Sequence, residues 1–275
     1  MSSILDQIVQ TKRQEIDHRR ADLSLETLKD RVAALPRPRN FFQAVTNRPK
    51  PNTPGAKALN LIAEVKKASP SAGVIRPDFD PVEIARAYES AGADALSVLT
   101  DDKYFQGHLS YIEAVRAAVK LPVLRKDFII DPWQVYESRA AGADAILLIA
   151  EILETGVLID LQILATELNM TCLIEVHDLE NLMRVRDHVI GFPMKRYSLL
   201  GINNRDLRTF KTDLGNTLRM AEFVEDRSVL VSESGIHTYS DIKKLAETGV
   251  SAVLVGESLM RSPDIAAKVR ELFNT

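Results

Sequence analysis

The chain has 275 residues, of which 45% are hydrophobic and 27% charged, with a net charge of −3 at pH 7. This is an ordinary globular composition, long enough for one large domain or two smaller ones. The charge balance supplies no global positive field, so nucleic acid and anionic membrane are excluded as bulk-electrostatic partners and an anionic ligand needs a local site. The single cysteine, Cys172, excludes an intramolecular disulfide and a multi-thiolate centre, and the histidines at 18, 108, 177, 188 and 237 lack metal-ligand spacing, so no metal is expected.

In chain order, the first turns carry Asp6, Lys12, Arg13, Glu15 and Asp17 and lack the apolar core of a signal peptide. The longest apolar run, AILLIA at 145–150, is too short to span a bilayer, which makes a cytoplasmic protein the expectation. Residues 1–58 show helical patterns in ILDQIVQTKRQEI and LSLETLKDRVAAL, then PRPRNFFQAV and the Pro/Lys-rich link NRPKPNTPGAK. Ile4, Leu5, Ile8 and Ile16 share one helix face, and the opposite face mixes acidic with basic residues. Such a helix is expected to pack on the body of the protein or over one of its ends rather than on a membrane. The basic scatter between residues 37 and 50 reads as a solvated linker.

From Asn60 onward, short β-rich runs alternate with amphipathic segments, the pattern of a parallel sheet with helices outside it. Eight runs are expected as strands: 59–65, 95–100, 122–127, 145–149, 171–176, 199–203, 229–233 and 252–256. Between them, segments such as PVEIARAYESAG, DPWQVYESRAAG and TYSDIKKLAETG open on Pro or a polar cap and close on Gly. AGADALSVLT, AGADAILLIA and TGVSAVLVGE repeat the joint from helix to strand. A doubly wound open sheet is the competing architecture, but eight consecutive units without an edge device favour closure. The predicted fold is α/β, a (β/α)8 TIM barrel forming a single domain over 1–275, with 1–58 as a helical N-terminal extension.

Alternate residues of a barrel strand face inward, so Glu64 and Lys66 share a face with Ile62 and stand at the C-terminal mouth. The same count brings Lys126, Glu175, Asn203 and Glu233 to that mouth. Unpaired buried charge costs several kcal/mol, so such a cluster must be mutually paired and wet, as an ion-pair plug, or must serve a ligand. The C-terminal face is where barrels of this kind keep their active sites. SESGI at 232–236 and VGESLM at 255–260 follow the seventh and eighth strands, where such barrels grip phosphate through backbone N–H groups; Gly235 and Gly256 would allow close approach, and Ser69 could add a hydrogen bond. GxxxxGK and GxGxxG patterns are absent, which argues against nucleotide binding by those routes.

With these residues in place, the sequence resembles the indole-3-glycerol phosphate synthase family. The blocks that carry the likeness are FFQAV, IAEVKKASPSAG, LSVLTDDKYFQGH, LPVLRKDFIID, LIEVHD, GINNRDL, SESGI and VLVGESLM, in that order over essentially the whole chain. The resemblance implies ring closure of 1-(2-carboxyphenylamino)-1-deoxyribulose 5-phosphate with loss of carbon dioxide and water, without metal or organic cofactor, in tryptophan biosynthesis. It implies Lys126 as general acid and Lys66 as a second lysine that helps to bind the carboxylate and is a second candidate proton donor. It further implies Glu64 and Glu175 as catalytic carboxylates, Asn203 as a polar anchor, and Glu233 with Ser234 as the pair on strand seven. Phosphate would lie at Ser69, Gly235, Gly256 and the backbone of Glu257, and the aromatic ring at Phe105, Phe128, Arg205 and Leu207. Relatives can carry Ser where this chain has Glu257, which affects a side-chain contact and leaves the backbone donor. The implied partner is a phosphorylated small molecule, with the chain either a monomer or associated with other tryptophan-pathway enzymes. Which lysine protonates the ketone, and which of Glu64 and Glu175 serves dehydration, stays open at this point.

Three other readings compete. The neighbouring isomerase on the same fold resembles a cysteine on strand one and an aspartate on strand six, where this chain has Glu64-Val65-Lys66 and Asn203. A class I aldolase would use Lys126 as a Schiff-base nucleophile. A metabolite-binding barrel would hold the phosphate ester without turnover. Cys172 is expected as an inert core residue at the far end of the barrel, His177 as a loop residue or an indirect partner, and Trp133 as packing on the barrel surface. The loops KKASPSAG and DDKYFQGH are candidates to close over a ligand.

Overall fold

The computed structural model describes residues 4–47, 57–206 and 209–274. Among them, β1 (Asn60–Val65), β2 (Ala95–Leu99), β3 (Val123–Lys126), β4 (Ala145–Ile149), β5 (Thr171–Val176), β6 (Ser198–Asn203), β7 (Leu230–Glu233) and β8 (Ala252–Val255) pair in parallel, and β8 returns to β1 to close a barrel. The expected strands are all present, with ends shifted by at most one residue. Alternation sorts their side chains as expected. Ile62, Leu124, Leu147, Leu173, Leu199, Val231 and Leu254 pack inside, whereas Leu61, Ala63 and Val65 meet the surrounding helices.

Local chemistry explains the helix limits. Asp80, Asp131 and Thr238 cap the helices Pro81–Ser90, Pro132–Ala140 and Tyr239–Thr248, the last two through capping boxes. Gly92, Gly142 and Gly249 then leave the helical path at φ of 83°, 91° and 94°. The repeated joint also has a function beyond the turn. The backbone N–H groups of Asp94, Asp144 and Ser251 each donate at 2.9 Å to the start of the preceding strand, at Leu61, Val123 and Leu230. Asp94 and Asp144 accept in return from the N–H groups of Leu61 (2.7 Å) and Val123 (2.9 Å). Strand starts at the lower rim are thereby pinned.

The N-terminal helices α1 (Ile4–Asp22), α2 (Leu25–Ala33) and α3 (Phe41–Thr46) run from one end of the barrel to the other. Ile4, Leu5 and Ile8 of α1 reach the mouth. Ile16 and Leu28 pack on Trp133 over the outer wall, and the indole Nε1 donates to Leu23 O at 3.0 Å. Phe41 and Val45 of α3 close the bottom, where Asn60 Nδ2 donates to Val45 O at 2.7 Å. The extension therefore covers both ends. Its anchor near the mouth is Lys12, only 4% exposed, with Nζ 3.0 Å from both Asp101 Oδ2 and Asp127 Oδ1 and 2.7 Å from Glu15 Oε2.

Candidate active site

The last inward positions of the strands deliver their charges to one cleft. Glu64, Lys66, Ser69, Phe105, Lys126, Phe128, Glu175, Asn203, Arg205, Glu233, Ser234, Gly235, Gly256 and Glu257 all line it. Leu207, the remaining residue expected there, lies outside the described residues.

Two ion-paired sets organise the floor. Lys66 pairs with Glu64. Lys126 Nζ donates to Glu175 Oε2 at 2.5 Å and lies 3.2 Å from Glu233 Oε2. Strand register accounts for this arrangement, since Glu175 stands beside Ile149 on β4 and Glu233 beside Asn203 on β6, so both carboxylates tilt toward the centre that Lys126 occupies. Burial alone would lower the Lys126 pKa, but the carboxylates of Glu175, Glu233 and Glu64 outweigh it and hold the ammonium charged. Burial likewise works against ionised Glu175, yet Lys126 and then His177 prevail and bring it down to about 2. Glu233 goes the other way. Burial raises it well above the ordinary value, and the neighbouring charge of Glu175 adds to this against the pull of Lys126.

Two glycines make room for these carboxylates. A Cβ on Gly256 would stand 2.2 Å from Glu64 Oε1, and one on Gly201 would stand 2.2 Å from Glu233 Oε1. Gly256, expected as a site of close phosphate approach, is thus also required by Glu64, and its φ of −124° demands no glycine on backbone grounds. Gly201 escaped the sequence reading, although a glycine inside a strand is the usual sign of close approach by another group.

The opposite lip is built from backbone. Ser234 and Gly235 adopt consecutive left-handed conformations, φ 65° and 74°, which turn the chain sharply off β7. A non-glycine residue held there marks a constrained functional turn. Gly256 opens the four-residue helix Glu257–Met260, and Ser258 Oγ ties it to Ile236 O at 2.9 Å. The Glu257 carboxylate is turned aside onto Arg205 Nη2 and Arg261 Nε, 3.0 Å from each, so it does not oppose an anion at its own N–H. Ser69 sits on a short hairpin, Ala68–Ser69 with Gly73–Val74, and its Oγ accepts from Ala72 N at 3.2 Å.

The aromatic wall is a tilted pair, Phe105 and Phe128, with ring centroids 6.1 Å apart. Phe210, Ile4, Leu5 and Ile8 add to the apolar lining. Phe210 was not singled out because its loop carries no periodic signal, and the α1 residues were placed only as far as an end of the barrel. Cys172 is buried in the wall, and burial pushes its thiol well up, as expected for an inert residue.

A parallel barrel with its charged groups gathered at the C-terminal rim belongs to the class of (β/α)8 barrel enzymes. Solved structures similar to it include a 3-hexulose-6-phosphate synthase (TM-score 0.61, 15% identity, covering 78% of this chain and 99% of that one) and a tryptophan synthase alpha-subunit from Pyrococcus furiosus (TM-score 0.57, 14% identity, 80% and 99%). At such identities the likeness shows the fold alone. The family description of indole-3-glycerol phosphate synthase matches residues 5–272. Curated relatives of that name from Geobacillus thermodenitrificans (50% identical, 98% of this chain and 96% of the relative) and Rhodospirillum rubrum (46%, 99% and 99%) are similar along their whole lengths. The chain belongs to the indole-3-glycerol phosphate synthase family, decarboxylating lyases of tryptophan biosynthesis.

Proposed function

We propose that the cleft closes the indole ring of 1-(2-carboxyphenylamino)-1-deoxyribulose 5-phosphate, with the residues named above in definite roles. The observation that carries this is one ammonium, Lys126, held between two buried carboxyl groups, 2.5 Å from Glu175 Oε2 and 3.2 Å from Glu233 Oε2.

Ring closure joins the carboxylate-bearing ring carbon to the ketone carbon, and the ketone oxygen must gain a proton as the bond forms. Lys126 is the donor. It supplies both the proton and a positive charge facing the developing oxyanion. Glu233, 3.2 Å away and with its pKa raised by burial, is placed to return a proton to it. The bond to the carboxyl group then breaks, carbon dioxide leaves, and its electron pair returns to the ring. Dehydration follows, in which the new hydroxyl departs with a proton from an acid while a base removes a proton from the neighbouring methylene carbon, and the ring nitrogen ends with its N–H. Glu64, paired with Lys66, and Glu175 are the two carboxylates within the cleft for that step. Lys66 holds the substrate carboxylate until it is lost, and Asn203, whose side-chain oxygen accepts from Arg205 N at 3.0 Å, fixes the turn that brings Arg205 in.

The phosphate rests on the N–H groups of the Ser234–Gly235 turn and of Gly256 and Glu257, with Ser69 from the hairpin above. The ring stacks in the wall of Phe105 and Phe128 with Arg205 at its edge. No described helix is long and apolar enough to cross a membrane, and a cytoplasmic enzyme acting on this small phosphate ester fits that. The test is to mix the protein with the substrate in EDTA and follow indole fluorescence. Product should accumulate at an undiminished rate. Tight phosphate-ester binding without product would favour a binding protein, and loss of turnover in EDTA would contradict the metal-free route.

A further inference from the structure

His177 lies just beyond the C-terminal end of β5, two residues past Glu175 and outside the catalytic set described above. Its ring is nearly enclosed between two carboxylates. Nδ1 is 3.1 Å from Glu151 Oε2, and Nε2 is 3.3 Å from Glu175 Oε1. Glu151 reaches it twice, because Glu151 Oε1 also accepts the backbone N–H of His177 at 2.8 Å. Glu175 is likewise shared, one oxygen toward His177 and the other on Lys126 at 2.5 Å. The result is a chain in which carboxylate and cation alternate, Glu151, His177, Glu175 and Lys126, ending at the Glu233 carboxyl.

A neutral imidazole carries one N–H and one lone pair. With a carboxylate oxygen at each nitrogen, the neutral ring would set its lone pair against negative charge, whereas the imidazolium faces both with positive charge at ion-pair distance, although neither nitrogen is aligned for a hydrogen bond. We propose that His177 is a positioning residue of the ring-closing site, an imidazolium strut braced by Glu151 that keeps Glu175 ionised and turned toward Lys126. This rests on the reading of Glu175 as a carboxylate of the reaction.

The groups facing the ring support a charged state. Glu151 comes from the turn after β4, Glu175 from β5, and Lys126 from β3 stands behind Glu175 as the opposing cation. From β6 and the helix after it come neutral amides, Asn203 and Asn216, the latter donating to His177 O at 3.0 Å. Arg184, on the helix that follows His177, spends its guanidinium on Ala150 O, Leu153 O and Thr155 Oγ1. Burial works against the imidazolium, but the Glu151 carboxylate close to Nδ1, together with the charge of Glu175, outweighs it and raises the pKa above the ordinary histidine value. Freed from His177, Glu175 would lose one of its two cations, become more basic and be able to swing off Lys126.

The sign of the pH dependence follows. Because the bound ring holds its proton above the usual value of about 6.5, kcat should fall on the alkaline side as that proton is lost. Glu151→Gln keeps the volume but removes the brace, so the same limb should move to lower pH. His177→Asn should abolish the limb and lower kcat on the order of 10- to 100-fold while KM stays within about threefold, as expected for a misaligned catalytic group.

The experiment combines these pH profiles with NMR titration of the histidine rings, His177 being assigned by its disappearance in His177→Asn. Titration of His177 above the ordinary value in the wild type, and a downward move of about one pH unit or more in Glu151→Gln, is the expected result. A purely structural histidine would lower stability without moving the kcat limb. His177 titrating at or below the ordinary value, a titration unmoved in Glu151→Gln, or an unchanged kcat profile in His177→Asn would overturn the proposal. If the rings titrate as expected but the wild-type protein forms no indole product, the strut stands and the ring-closure reading fails.

Discussion

Lys126→Ala is expected to lower kcat by about 10³-fold or more, because in the proposed roles one side chain supplies both the proton for the ketone and the charge facing the oxyanion. Binding of a phosphate-bearing ligand should survive, since the Ser234–Gly235 turn and the Glu257 helix N-terminus are built from backbone and do not use Lys126. Stability should fall on the order of 3 kcal/mol, the loss typical of removing one partner from a buried ion pair. The surroundings soften it, as Glu175 still faces His177. Steady-state kinetics of the folded variant, with ligand binding measured in parallel, decide the matter. Turnover within about tenfold of the parent would remove Lys126 from the acid role.

Lys12→Met is expected to have the larger effect on stability. Lys12 is the buried cation that ties α1 to Asp101 and Asp127, at the ends of β2 and β3. Without it Asp127 retains Arg125 at 2.9 Å, but the enclosed Asp101 carboxylate loses its cation. A loss on the order of 3–5 kcal/mol follows, which for a chain of this size lowers Tm by about 10 °C. Burial already raises the Asp101 pKa, Lys12 counters it, and Asp127 adds to the rise. Removing Lys12 raises Asp101 further above its unfolded value, so protonation stabilises the folded variant and the defect should be smaller near pH 5 than near pH 8. Activity should suffer through KM as well. Asp101 caps the turn Asp102–Phe105, Thr11 Oγ1 and Tyr104 OH are 3.0 Å apart across it, and Phe105 belongs to the aromatic wall. Thermal unfolding at the two pH values checks this, and a Tm unchanged at pH 8 would mean that Lys12 does not anchor the extension.

Strand parity made the floor of the cleft legible before any coordinates. Glu64, Lys66, Lys126, Glu175, Asn203 and Glu233 were assigned inward by counting in twos from apolar neighbours, and they do line the cleft. Which of them touch was not legible, because partner choice depends on the stagger between neighbouring strands and on side-chain rotamers. Lys126 sits between Glu175 and Glu233, on β3, β5 and β7, an arrangement that no local pattern encodes. Gly201 and Gly256 show the same limit, since each is needed by a carboxylate from another strand. The AGAD repeat was visible as a turn signal, whereas the return hydrogen bonds of Asp94 and Asp144 to the strand starts are tertiary. The extension was read as helical and as packing on the barrel or over one of its ends. That it spans both ends, with Lys12 reaching Asp101 and Asp127, depends on contacts between residues remote in sequence.

The most direct test is a crystal structure of the protein with indole-3-glycerol phosphate bound. The phosphate should accept hydrogen bonds from the backbone around Gly235, Gly256 and Glu257, the indole should lie against Phe105 and Phe128, and Lys126 should face the carbon that carried the ketone oxygen. A ligand seated with its phosphate away from that lip, or with Lys126 and Glu175 out of reach of the ring, would contradict the assignment of one shared rim to binding and chemistry.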